Sequence, residues 1–231
     1  MANLYGPRIV TDGLVLHLDA GNRKSYPLSG STIYDLSGIG NNGTFGASTA
    51  APTFSGDNGG CLSFDGSNDY VVTGNSSITG NQSWSLSVWV SVNVIENGAG
   101  RQGWIIWEGS SSQGTSQLIS IGVTSGKVEV AHWSNDTIFS NSPINFGNFQ
   151  NITVTFNGSI ERIYINGINT DNKSTTLNIS DGAWYLGSAA AAAGSYNFLN
   201  CKIAQVSVYN KSLSAAEIRK NFEAVKGRYG L

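Results

Sequence analysis

The chain has 231 residues, a net charge of -2 from 13 basic and 15 acidic side chains, 12% charged residues and 29 glycines. This is enough for one domain with a substantial apolar core, and the balanced charge offers no footprint for a phosphate backbone or an anionic lipid surface, so neither nucleic acid nor a membrane is an expected partner. No apolar stretch approaches a membrane span, and Met1 to Arg8 lacks a basic region followed by an apolar run, so no transmembrane segment and no signal peptide are expected. Two cysteines, Cys61 and Cys201, are too few for a disulfide scaffold or a metal cluster. Buried thiols are the preferred reading, with a bridge as the alternative.

A single domain over 1–231 is expected, opening with an arm over about 1–12. In Trp84-Ser85-Leu86-Ser87-Val88-Trp89-Val90-Ser91, the residues Leu86, Val88 and Val90 share one face and the serines the other, which predicts a strand with one buried face. Trp89 breaks the serine face, so it packs under a loop or helix or marks a covered patch. The same period of two recurs in Val128-Glu129-Val130, Ile152 to Phe156, Ile163-Tyr164-Ile165 and Val206-Ser207-Val208. Thr124-Ser125-Gly126-Lys127, Phe156-Asn157-Gly158-Ser159 and Ile165-Asn166-Gly167 lie between them as tight hairpin turns, so the sheets should be antiparallel. Ala189 to Ala193 reads as a small-residue loop. After Leu213 a helix is predicted over 214–227, with Ser214 and Glu217 as a capping box, Ile218, Phe222 and Val225 on one stripe against the sandwich rim, and Gly227 as the stop.

Several segments, in order along nearly the whole chain, resemble laminin G-like (concanavalin A-like) jelly-roll domains. They are Gly13 to Ala20, the Gly/Asn-rich loop Tyr34 to Thr44, Leu62-Ser63-Phe64-Asp65-Gly66, Asp69-Tyr70-Val71, Trp84 to Val90, Ile163 to Gly167, and Ile203 to Ser214. The resemblance implies an all-β fold, a two-sheet antiparallel sandwich with one short C-terminal helix. Leu18-Asp19-Ala20-Gly21-Asn22 together with the stretch from Phe222 through Lys226-Gly227-Arg228-Tyr229-Gly230 is similar to proteins encoded by tailed bacteriophages, notably cyanophages. That likeness implies a virion component assembled in the host cytoplasm.

Retaining glycanases on this sandwich need two carboxylates about 5 Å apart. Here Glu108 stands alone, Glu129 alternates with apolar residues, and Glu161 sits beside Arg162 with no second acid two or four residues away, so no catalytic residue is assigned. His17 and His132 lie in no ligand or nucleophile motif and read as structural. Two loops carry oxygen ligands suited to calcium, Asp35 with Asn41 and Asn42, and Asp65 with Asn68 and Asp69, although the same residues close turns through their own backbone, which is the preferred reading. No cofactor is required. For a glycan, Trp107, Trp133, Trp184 and Tyr196 are the aromatic candidates, with core or subunit packing preferred. The expected function is non-enzymatic: a virion structural protein that decorates or cements the particle exterior, contacting capsid, tail or fibre subunits and other copies of itself. The alternative is a carbohydrate-binding adhesion module for host surface polysaccharide.

Overall fold

The computed structural model describes residues 8–75, 77–93, 101–109, 119–132, 138–189 and 198–231. Within these segments the alternating residues form two antiparallel sheets. The first contains β1 (Leu14–Asp19), β4 (Thr53–Ser55), β5 (Cys61–Asp65), β7 (Trp84–Val92), β12 (Gln150–Phe156), β13 (Ile160–Ile165), β14 (Ile168–Ser174) and β16 (Asn200–Tyr209). Its order is β14-β13-β12-β7-β16-β5-β4, with β1 also on β16. The second contains β2 (Thr32–Ile33), β3 (Gly43–Phe45), β6 (Val71–Asn75), β8 (Arg101–Glu108), β9 (Ile119–Thr124), β10 (Lys127–Ala131), β11 (Ile138–Pro143) and β15 (Ala183–Leu186), in the order β11-β10-β9-β8-β15-β6-β3-β2.

The long strand β16 pairs with β7 along one edge, with a register shift between Ile203 and Gln205, and divides its other edge between two strands. Its first half pairs with β5, placing Cys201 opposite Phe64, and its second half pairs with β1, placing Val206 opposite Leu18. Two of the predicted turns are two-residue hairpins with both residues in the left-handed region, Ser125-Gly126 and Asn166-Gly167. That backbone twist matches the right-handed twist of the flanking strands. Leu16, Leu62, Leu86, Val88, Val154, Ile106, Ile121 and Val130 meet between the sheets in one core.

The structure differs from the sequence reading at β7, where both faces are buried. Ser85, Ser87 and Ser91 face a cover, not water. Its polar groups pair among themselves: Asn151 donates from Nδ2 to Ser87 Oγ at 2.9 Å, Thr153 Oγ1 lies 2.9 Å from the same oxygen, and His17 Nδ1 lies 2.9 Å from Ser207 Oγ. Leu213 N donates to Ser85 Oγ, which donates to the Lys211 carbonyl. Small uncharged polar side chains are the economical choice for a covered face, since each buried polar atom needs a partner and a buried charge costs far more.

The cover is the C-terminal segment. Among the described residues α1 (Ala215–Val225) is the one α-helix, and its capping box is complete: Ser214 Oγ accepts from Glu217 N while the Glu217 carboxylate accepts from Ser214 N. The helix lies over the outer face of the first sheet, beyond the rim, because Trp89 projects there and stacks on Phe222 at 5.7 Å. It ends at Val225, not at Gly227. The chain tightens into a 3-10 turn over Lys226–Tyr229, and Gly230 supplies the left-handed residue (φ 73°). This tightening sets the Tyr229 ring 4.2 Å from Trp89 and 4.9 Å from Phe149. The arm joins the same cover: Val10 N donates to Asn221 Oδ1 at 2.7 Å, and Tyr209 donates its hydroxyl to the Val10 carbonyl. Asn221 and Phe222 are both buried.

Cys61 and Cys201 are free thiols on opposite faces of the first sheet, Cys61 in the outer aromatic cluster and Cys201 in the core. Burial pushes both thiols up, which leaves them protonated and inert.

Removing Trp89 deletes two stacked contacts and opens a cavity under the cover. Trp89→Ala is expected to destabilise the fold by about 3–5 kcal/mol, read as a shift in the urea unfolding midpoint.

The interior also holds an acid. Glu108, at the end of β8, points inward beside Ile119 and Trp184 and is fully buried, and among the described residues no donor meets either carboxyl oxygen at full hydrogen-bond geometry. Burial, with Asp181 adding, pushes its carboxyl up to about 9, only partly offset by the N–H groups of Gly182 and Ile119. An unfolded chain releases this proton near 4.5, so the folded state binds more protons between there and about 9. The stability owed to neutral Glu108 is therefore complete below that interval and fades as pH rises through it. Unfolding midpoints measured from about pH 5 to pH 8.5 should fall less steeply for Glu108→Gln than for the native chain. Parallel curves would contradict this.

Candidate functional site

The residues singled out from sequence do not converge on one place. Asp35 organises its loop as a turn: Oδ1 accepts from His17 N (2.8 Å) and Ser37 N (2.9 Å), and Oδ2 accepts from Ser37 Oγ (2.7 Å), Gly40 N (3.1 Å) and Asn41 N (3.0 Å). Burial pushes its carboxyl up, but the Ser37 hydroxyl and these N–H groups outweigh burial and hold it below the usual carboxylate range. Asn42 Oδ1 accepts from Asp35 N, and Asn41 donates to the Val15 carbonyl. In the second loop Asp65 Oδ1 accepts from Ser67 N and Asn68 N, while Asp69 Oδ2 accepts from Asp65 N. Burial raises the Asp69 carboxyl. In both loops the acidic side chains close turns on the backbone, and among the described residues no group of three or more His, Cys, Asp or Glu is placed to hold a metal ion.

Of the aromatic candidates, Trp184 is wholly inside the core and Trp107 is buried with Trp104, Ala131, Ala189 and the edge of Tyr185 on the outer face of the second sheet. Trp133, Tyr196 and the alanines at 190–193 lie outside the described residues. The three glutamates occupy three different faces. Glu108 points into the core from the second sheet; Glu129 shares its outer face with Trp104 and accepts from Thr124 Oγ1; Glu161 points into the core from the first sheet. No glycanase-type carboxylate pair assembles from them. The pairing that does form, unseen in the sequence, is His132 Nε2 with Glu161 Oε1 at 2.8 Å, both fully buried, a tie across the two sheets. The sequence signal available was parity, since Glu161 falls in phase with the core residues Ile163 and Ile165.

A concave site does exist where the sequence offered no motif, at the end of the covered face of the first sheet. It is a pocket of about 320 Å³ whose polar lining includes Asn58, Ser91, Asn148, Gln150, Asn166 and Lys202, with Phe149 and Tyr229 as aromatic wall. Its amides are fixed by main-chain groups. Asn58 donates from Nδ2 to the Arg228 carbonyl (3.4 Å), Asn148 from Nδ2 to the Phe146 carbonyl (3.1 Å), and Gln150 from Nε2 to the Asn145 carbonyl (3.2 Å). Asn166 is the reverse, its Oδ1 accepting from Asn151 N at 2.9 Å. A carbonyl can only accept and an N–H can only donate, so each amide has one permitted orientation. The pocket is therefore pre-organised, and among the described residues Lys202 is the one charged side chain in its wall, its Nζ 2.5 Å from Asp57 Oδ2.

One clamp holds this wall in place. Arg228 donates from Nη1 to Asp19 Oδ1 (2.7 Å), from Nε to the Asn58 carbonyl (2.7 Å) and from Nη2 to the Gly60 carbonyl. A Cβ at Gly21 would run into the Gly59 carbonyl and the guanidinium, so glycine there is required by the close approach. The two segments that sequence likeness singled out, residues 18–22 and 226–230, are thus the two halves of one contact.

Two antiparallel sheets packed face to face define a jelly-roll sandwich. A family model described as the concanavalin A-like lectin/glucanases superfamily, of laminin G type, matches residues 65–219, and the chain belongs to that superfamily. Among solved structures it is similar to the binding domain of Paraclostridial mosquitocidal protein 1, with a TM-score of 0.67 and 17% identity over 92% of this chain and 52% of that one. Domain 4 of AbnA, a GH43 extracellular arabinanase from Geobacillus stearothermophilus solved in complex with arabinotriose, gives a TM-score of 0.66 and 14% identity over 90% of this chain and 97% of that one. Trypanosoma rangeli sialidase gives 0.67 and 16% over 95% and 34%. The chain accordingly spans 52% of the mosquitocidal binding domain's length and 34% of the sialidase's, but 97% of the arabinanase domain's. Identities this low establish the shared fold alone. No curated protein sequence matches the chain, and no helix among the described residues is long and apolar enough to cross a membrane.

Arg228→Lys keeps the charge but loses the fork that reaches three acceptors at once. It is expected to cost about 1–3 kcal/mol and to speed amide hydrogen exchange across 226–231 while leaving the core strands protected.

Proposed function

We propose that the protein is a non-catalytic carbohydrate-binding module whose ligand site is the amide-lined pocket beside the C-terminal turn. One observation carries the reading: four side-chain amides are held by main-chain partners so that, among the described residues, each leaves one end without a bond inside the protein. Sugar hydroxyls, which both donate and accept, suit such an array, and pre-organised amides reduce the ordering cost of binding. The full-length likeness to an arabinanase domain solved with a trisaccharide supports a saccharide as the ligand class. The scatter of Glu108, Glu129 and Glu161 over three faces supports binding without hydrolysis. No metal enters the proposal.

For the setting, the likeness of the two end segments to tailed-phage proteins supports a virion exterior, where the module would decorate or cement neighbouring subunits, contact other copies of itself and present its pocket to host surface polysaccharide. Protein mass spectrometry of purified particles tests that placement, and absence of the chain from them would overturn it.

The binding reading is tested on a glycan array with the intact chain and with Asn148→Ala/Gln150→Ala. The native chain should give saturable binding to at least one glycan class, and the double substitution should weaken it about tenfold, two hydrogen bonds' worth, with unfolding midpoints unchanged. Binding by neither protein would overturn the proposal.

A further inference from the structure

We infer that the pocket selects neutral, hydroxyl-rich saccharides against acidic ones, and that Asp57, outside the pocket wall, sets this preference. The inference rests on the carbohydrate-binding reading above and names the ligand class for that same site.

The unused ends of the amides face the ligand space. Asn58 and Gln150 each give one N–H to a carbonyl and Asn148 gives both, to Asn145 Oδ1 and the Phe146 carbonyl, so all three keep their oxygens for a ligand. Asn166 leaves its NH2, since its oxygen is held by Asn151 N. Hydroxyls can donate to the three oxygens and accept from the N–H groups left over on Asn58, Gln150 and Asn166, whereas an ionised carboxylate or sulfate can only accept and leaves the oxygens unpaired. A site built to receive hydroxyl donors loses its own hydrogen bonds when the ligand cannot supply them, and this penalises the wrong ligand more than any lost contact.

Lys202 is the one charged side chain lining the pocket, and alone it would favour acidic sugars. Its ammonium is instead taken by Asp57, whose N–H is anchored on Ser55 Oγ at 3.2 Å in the short turn before β5. The hydrogen bond between them raises the ammonium and lowers the carboxyl together, so both stay charged and matched across the neutral range. A ligand carboxylate reaching for Lys202 would therefore meet a second carboxylate already there. Asp57 is about half exposed (53%) and Lys202 about a third (32%), so the pair contributes little to folding and Asp57 can be neutralised without loss of the fold.

Calorimetric titration of the intact chain with arabinotriose and maltotriose as neutral probes, and with trigalacturonate and 3′-sialyllactose as acidic ones, tests this. The native chain should bind a neutral probe about tenfold tighter than either acidic probe. Asp57→Asn should raise affinity for the acidic probes about fivefold, the scale of one exposed charge pair, and change neutral binding less than about twofold. Equal or tighter binding of acidic probes by the native chain, or an unchanged ratio in Asp57→Asn, overturns the inference and leaves the carbohydrate-binding reading standing. Failure of every probe, neutral and acidic alike, overturns both.

Discussion

The contact on which the rest of the molecule depends is the stack of Trp89 with Phe222 and Tyr229. A large ring on the outer face of the first sheet, among the small polar side chains of β7, gives the C-terminal segment something to bury against, at separations of 5.7 Å and 4.2 Å. Once Tyr229 is fixed there, Arg228 falls within reach of Asp19 and of two carbonyls in the turn before β5, and the pocket acquires its wall. Fold and candidate site are therefore coupled. The helix does not decorate a finished sandwich, because it completes the face from which the pocket is made.

That coupling also gives a physical account of the composition. A chain with so few charges and so much Ser, Thr and Asn reads at first as one with an uncharged solvated surface. In the structure, part of that polarity is inside. Ser87, Asn151 and Thr153 form a covered ladder, Ser207 meets His17, and Ser85 meets main-chain groups of Lys211 and Leu213. Charged residues in the same places would need partners that a helix laid flat on a sheet cannot supply. The true charges gather at the edges of the cover, as in Arg228 with Asp19 and Lys211 with Glu217.

Much of the fold was legible in the sequence because its signals are local. The alternation at Trp84–Val92, the Ser125-Gly126 and Asn166-Gly167 turns and the Ser214/Glu217 capping box each arise within a few residues and appear as expected. The anomaly of Trp89 correctly marked a covered patch. What periodicity could not show was the second buried face of β7, since a face looks polar whether water or a helix lies against it. Nor could it end the helix, because Gly227 is an ordinary stop signal that the pull of Tyr229 toward Trp89 overrides. The pocket was hidden for a related reason. Asn58, Asn148, Asn166 and Lys202 come from four separate turns and strands, and only the closed fold gathers them. The tryptophans that composition suggested for a ligand proved, where described, to be packed away.

The central claim is that the locked amides beside the C-terminal turn form a saccharide site. Its most direct test is residue-resolved NMR of the intact chain titrated with arabinotriose, following side-chain amide and indole signals together. The account expects saturable shifts in the NH2 resonances of Asn148, Gln150 and Asn166, with the indoles of Trp107 and Trp184 unmoved. Shifts confined to the outer face of the second sheet, around Trp104 and Trp107, would contradict it.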